Sequence, residues 1–164
     1  MLINAFDGTA SRRIDASPAE VFEFITAVAT LPEWNAHIHH VIERPLEPLA
    51  EGDEWVVQMR VLGVRWRSRS HALVVDPVDG RFEHTSRTDD DNPSLAVWSW
   101  HVTPCGDGGS LLSVGWVGRP KTFGRQLLAA RMRRTQLRNE VAASLETLAT
   151  RFHASAVAAR HVRS

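Results

Sequence analysis

His84 lies in the run 81–89, where Phe82, His84, Ser86 and Thr88 share one face if the segment is a strand. An imidazole titrates near neutrality and can give or take a proton. The hydroxyls beside it could hold its partner or a ligand carbonyl. As phased, it is the one readily titrating group on that face and the sole candidate for acid–base chemistry. A partly buried imidazole bonded to a hydroxyl would give the same pattern without catalysis. His37, His39 and His40 cluster in sequence. On a helix the first and last share a face and the middle one points elsewhere. With no acidic or cysteine partner following at ligand spacing, no metal is expected there. Cys105 is the lone cysteine, in a glycine-rich loop, and cannot form an intrachain disulfide. Neither a nucleophile elbow, nor a phosphate-cradling loop, nor a dinucleotide fingerprint occurs, so no cofactor is implied.

Strands must position these groups. Runs at 55–62, 64–75, 81–89, 95–103 and 111–118 are separated by Gly63, by Asp76-Pro77-Val78-Asp79-Gly80, by Asp90-Asp91-Asn92-Pro93 and by a Gly-rich loop. This is the punctuation of an antiparallel meander. Alternate residues give Trp55, Val57 and Met59; Trp66, Ser68, Ser70 and Ala72; Trp98, Trp100 and Val102; and Leu112, Val114 and Trp116. The opposite set is rich in Arg and Glu. Five of the six tryptophans therefore share one face, mixed with small hydroxyls. An ordinary sheet core is filled with Val, Ile and Leu. Indoles beside serines describe the wall of an apolar pocket.

Two helical stretches follow the first segment, 8–15. Ser17-Pro18 with Glu20 three residues on is a capping box, and Val21, Phe22, Phe24, Ile25 and Val28 form its apolar stripe. A second helix is expected from Leu31-Pro32-Glu33, carrying Trp34, Ile38 and Val41. Trp34, Asn35, His37 and Ile38 either border a cavity mouth or, in the case of Trp34, belong to the core. A long helix is expected over 122–152, from Phe123, Leu127, Ala130, Leu137, Val141, Leu145, Leu148 and Phe152. At about 45 Å it must lie across the sheet. Residues 154–164 are expected to fray. The basic group Arg119, Lys121, Arg125, Arg131, Arg133, Arg134 and Arg138 opposes the helix dipole. Most of it is expected to be a solvated face neutralised by Glu43, Glu47, Glu51 or Asp89–Asp91. Arg134 interrupts the apolar stripe and is the one expected to reach the cavity.

The chain has 164 residues with 19 basic and 19 acidic side chains, enough for one domain and without a field that favours nucleic acid. No stretch is long and apolar enough to span a bilayer, and none resembles a leader, so a soluble cytoplasmic protein is expected.

Ile14-Asp15-Ala16-Ser17-Pro18-Ala19-Glu20-Val21-Phe22, Leu31-Pro32-Glu33-Trp34-Asn35, Gly52-Asp53-Glu54-Trp55 and Gly108-Gly109-Ser110-Leu111-Leu112 resemble the START/Bet v 1-like (SRPBCC) superfamily. The nearest branch is the polyketide cyclase/dehydrase and lipid-transport group. The resemblance implies an α+β helix-grip fold over residues 1–153. A curved antiparallel sheet of about seven strands would wrap a long C-terminal helix, with two short helices after the first strand and a cavity between sheet and long helix.

The expected ligand-binding set is Trp55, Met59, Trp66, Ser68, Ser70, Phe82, His84, Ser86, Trp98, Trp100, Trp116, Leu127 and Arg134, with His84 the catalytic candidate. The first expectation is binding of a hydrophobic, aromatic or polycyclic small molecule. A polyketide aromatase/cyclase-type enzyme acting on a poly-ketone is the alternative, and a protein-interaction module using the arginine-rich helix is a third. Whether the protein turns over a substrate, and whether it forms a homodimer, are left open by the sequence.

Overall fold

The computed structural model describes residues 6–90, 94–119 and 126–162, with side chains described for 7–90, 94–118 and 135–162. Seven strands form one antiparallel sheet: β1 (Phe6–Ile14), β2 (Ile38–Glu43), β3 (Glu54–Val61), β4 (Val64–Asp76), β5 (Arg81–Thr88), β6 (Leu95–Pro104) and β7 (Ser110–Arg119). Their order is β1-β7-β6-β5-β4-β3-β2, a meander closed at one edge by the first strand. The helices are α1 (Pro18–Thr26), α2 (Leu31–Trp34) and α3 (Gln126–Val162), with a 3-10 turn at Val28–Thr30.

The expected register holds through the middle of the sheet. Trp55 faces Ser70, Val57 faces Ser68 and Met59 faces Trp66. Ser70 faces Ser86 and Ala72 faces His84, after which a bulge between Ala72 and Val74 shifts the register so that Val75 pairs with Phe82. Phe82 then faces Trp100, His84 faces Trp98, and Trp98 faces Trp116. Directly opposed residues share a face, so all these side chains line the concave side. On the convex side Arg69 of β4 bonds Glu43, Glu54 and Asp89, tying β2 and β3 to the end of β5. Of the acids expected to neutralise the start of α3, Glu43 and Asp89 thus pair with Arg69 and Glu47 pairs with Arg44.

Helix α1 starts as its sequence dictates. Ser17 accepts from the Glu20 backbone N–H, and the Glu20 carboxylate accepts from Ser17 N at 3.0 Å. Val21, Phe22 and Ile25 face the core. The second helix stops at Trp34, and Ile38 and Val41 lie on β2 instead. Asn35 turns the chain out of helix by accepting the His37 N–H at 3.1 Å. Register shifts between Ile38 and His40 and between Val41 and Glu43 break the alternation. The bulged strand therefore spaces its apolar residues three apart, as a helix does.

Helix α3 spans 37 residues, about 55 Å. Val141, Ser144, Leu145 and Leu148 are buried, the three apolar ones in the same cluster as Ile14, Leu112 and Val114. Its described packing is against β1 and α2. Arg12–Glu146, Asp15–His153, Glu33–Arg151 and His37–Glu140 contacts pin it on both sides, and Phe152 meets Phe24 edge-on. Where fraying was expected after His153, the helix continues to Val162. The segment is mostly exposed, and its alanines favour helix without needing a core. No helix among the described residues is long and apolar enough to cross a membrane.

Candidate functional site: an aromatic cavity

A cavity of about 110 Å³ opens between the concave sheet face and the first helices. The sheet contributes Trp55, Val57, Met59, Ser68, Ser70, Phe82, His84, Ser86, Trp98 and Trp100. The helical side contributes Ile25, Thr26, Val28, Leu31, Trp34 and Asn35, with Ile38 from β2. Of the expected set, Trp66 and Trp116 do not line it. Trp116 is 2% exposed and fills the space over Gly8, where no side chain stands in its way. Trp66 sits opposite Met59, towards the outer end of the β3–β4 hairpin, and is half-buried there. The side chains of Leu127 and Arg134 lie outside the described residues. Described side chains roofing the cavity thus come from α1, the 3-10 turn and α2, not α3.

Ile25, Thr26, Val28 and Leu31 had no place in the expected set. Their signal was present: the apolar stripe of α1 continues through Val28 to Leu31. Nothing in a stripe distinguishes residues that fill a core from residues that border a hollow.

The rings stand in series. Phe82 stacks on His84 (5.1 Å between centroids, 27° between planes), and His84 lies nearly parallel to Trp98 (6.3 Å, 13°). Trp55 flanks both Phe82 and His84, and Trp34 closes edge-on against Trp100 at 5.6 Å. The result is a cavity walled by a series of packed aromatic rings.

His84 is half-buried, and its remaining surface belongs to the cavity wall. Its Nδ1–H donates to the Thr85 carbonyl at 3.4 Å, and its Nε2 accepts from the Trp100 indole N–H at 3.4 Å. That pattern requires the neutral tautomer, since a protonated Nε2 would confront another donor. Loss of hydration pulls the pKa down from 6.5 to about 4, against a small opposing pull from the Thr85 carbonyl. Among the described lining residues there is no carboxylate to orient or recharge the ring.

Three of the remaining polar groups can donate to a guest, whereas Thr26 Oγ1, also in the lining, gives its proton to the Phe22 carbonyl at 2.8 Å and can only accept. Ser86 Oγ accepts from Trp98 Nε1 at 2.9 Å, leaving its own O–H free to donate. Ser70 is buried at the wall, and its hydroxyl has no hydrogen-bond partner among the described residues. The side-chain carbonyl of Asn35 is taken by His37 N, and its amide N–H groups remain. Ser68 is turned away, donating to the Arg87 carbonyl at 3.1 Å. His37 is drawn off to Glu140 at 3.4 Å, while His39 and His40 meet edge to face on β2.

The model of the family described as polyketide cyclase / dehydrase and lipid transport matches residues 5–153. The chain belongs to that family. No curated protein matches it. Among solved structures it is similar to a protein of Chromobacterium violaceum, with 18% identity, TM-score 0.68, and coverage of 90% of this chain and 96% of that one. It is also similar to Ara h 8.0201 (12% identity, TM-score 0.70, 92% and 99% covered). A third is the ginseng major latex-like protein 151 of Panax ginseng (12%, 0.68, 90% and 97%). At these identities the likeness shows the fold, the Bet v 1-like helix grip, and no more.

Proposed function

We propose that the cavity binds a small, neutral, planar aromatic molecule carrying one or two oxygen acceptors, such as an aryl ketone or phenol. The observation that carries this reading is the ring series of Phe82, His84 and Trp98 facing a hollow whose free polar atoms, Ser70 Oγ, Ser86 Oγ and the Asn35 amide, can all donate. An ionised guest would find no countercharge among the described lining residues. The size supports a single ring: an apolar cavity of about 150 Å³ takes up benzene, and this one is slightly smaller. A polycyclic guest requires α1 or α2 to move outward.

The same observations bear on turnover. A general acid or base works best with a pKa near the working pH, and an imidazole titrating at about 4 is a weak base at neutrality. His84 is suited to flanking the guest as a flat, uncharged ring. The test pairs affinity with conversion. Tryptophan fluorescence titrated with phenol or acetophenone measures binding, and mass spectrometry follows a poly-ketone. Saturable quenching by the one-ring ligand is expected, with no product from the poly-ketone. Conversion that falls by about 10²–10⁴ in His84→Gln would instead make this residue a proton-transfer group and the protein a cyclase.

A further inference from the structure

Two aliphatic side chains stand in water at the end of the β3–β4 hairpin: Leu62 is 97% exposed and Val64 63%. The turn is two residues long, between the paired Val61 and Val64. Both central residues have positive φ, 49° at Leu62 and 82° at Gly63. This is the conformation of a type I′ hairpin turn, whose first central position suits Asn, Asp or Gly. Leucine gains nothing from it. The sequence places an apolar side chain where the backbone disfavours it and nothing in the fold covers it. A local rule broken without an internal gain points to something outside the molecule.

Scattered exposed apolar residues are ordinary, and one alone would carry little. Here charge supplies a second observation. Arg60 and Arg65 face each other directly across the hairpin, a destabilising like-charge pair, and Arg67 follows on the same face. Among the described residues none of the three guanidinium groups has an ion pair or hydrogen bond, since the acids nearby serve Arg69. The chain as a whole is neutral, so this basic collar is local.

We propose that the hairpin tip docks on an anionic phospholipid surface. Leu62 and Val64 enter the boundary between headgroups and acyl chains, and Arg60, Arg65 and Arg67 meet lipid phosphates. An acidic protein would match the charge but not the shape. A tip two residues wide offers no flat face or groove of the roughly 800 Å² per partner that a stable protein interface needs. Lipid moulds around a protrusion. The placement also connects the tip to the cavity: Met59, three residues from Leu62 and so about 10 Å along the strand, is a lining residue.

The proposal stands apart from the ligand reading, and its test keeps them separate. The intact protein is co-sedimented with vesicles of phosphatidylcholine alone, and of phosphatidylcholine with phosphatidylserine. Binding to the second only, weakened by salt, is expected. Leu62→Asn, which suits the turn and should keep or raise Tm, should lower partitioning about tenfold, and Arg65→Gln about fivefold. The fluorescence titration of the cavity should be unchanged in both variants. No binding of the wild type to phosphatidylserine vesicles, or equal binding by Leu62→Asn, would overturn the proposal. Capture by soluble polyglutamate as tight as by vesicles, and indifferent to Leu62, would overturn it in favour of an acidic protein partner.

Discussion

An imidazole stacked between Phe82 and Trp98 has little water to solvate a positive charge, and His84 is held neutral for that reason. This has a signed consequence for stability. Its folded pKa of about 4 lies below the ordinary 6.5, so above pH 6.5 the group is neutral in both states and folding is undisturbed. As pH falls through the window from 6.5 to about 4, the unfolded chain takes up a proton that the folded one refuses. Stability should then drop by about 1.4 kcal/mol per pH unit and level off below the window. His84→Gln should remove that slope, leaving the shallower dependence common to both proteins. Urea unfolding of the pair across this range checks it, and parallel curves would mean that His84 charges freely in the fold. Gly8 makes a second residue-scale prediction. A Cβ there would lie 2.2 Å from the Trp116 ring, which is buried and packs against Trp98. Gly8→Ala should therefore destabilise by about 1–3 kcal/mol, the usual penalty of overpacking. An unchanged denaturation midpoint would show that the indole can move.

The elements differ in how openly the sequence declares them. The start of α1 was legible to the residue, because Ser17, Pro18 and Glu20 each satisfy a specific backbone requirement at a helix N-terminus. Strand β2 was hidden by its own bulges, which space Ile38 and Val41 like helix neighbours. The extension of α3 to Val162 was missed because apolar periodicity ends at Phe152, whereas helix propensity does not. What holds α3 in place is its buried stripe. Leu148 is fully buried and Leu145 nearly so, and either changed to Ala should cost about 2–5 kcal/mol. Glu146 lies on the same turn but reaches an exposed Arg12, and Glu146→Ala should change stability by less than about 1 kcal/mol. Thermal unfolding of the three variants is the measurement. A loss at Glu146 equal to that at Leu148 would mean that the helix is held by charge and not by packing.

At the scale of the whole molecule the sheet face and a pocket on it could be read, but the extent of the hollow and the elements that roof it could not. Alternation assigns Trp55, His84 and Trp98 to one side with a single choice of phase. Whether opposing side chains meet or leave space depends on how far α1 and α2 stand off the sheet, and no local pattern encodes that separation. Trp116 illustrates the limit: it shares the face of Trp98, yet it packs solidly over Gly8 while Trp98 borders the cavity. If the hollow is a binding site, its occupation must stabilise the entire fold. A ligand at about 100 times its Kd adds about 2.7 kcal/mol to unfolding, which in a domain of this size raises Tm by roughly 5–11 °C. Filling the space from within should do part of the same. Ser70 borders the cavity, is buried, and has a hydroxyl without a partner among the described residues, so Ser70→Val adds apolar volume without breaking a bond to any of them. The variant should be at least as stable as the wild type without ligand, because apolar contacts replace unfilled space. It should also lose most of the ligand-induced rise in Tm, since both the room and one donor are gone. A full ligand-induced rise in Ser70→Val would place the binding site elsewhere, and a loss of stability without ligand would show that the Ser70 hydroxyl is held by a bond that the valine breaks.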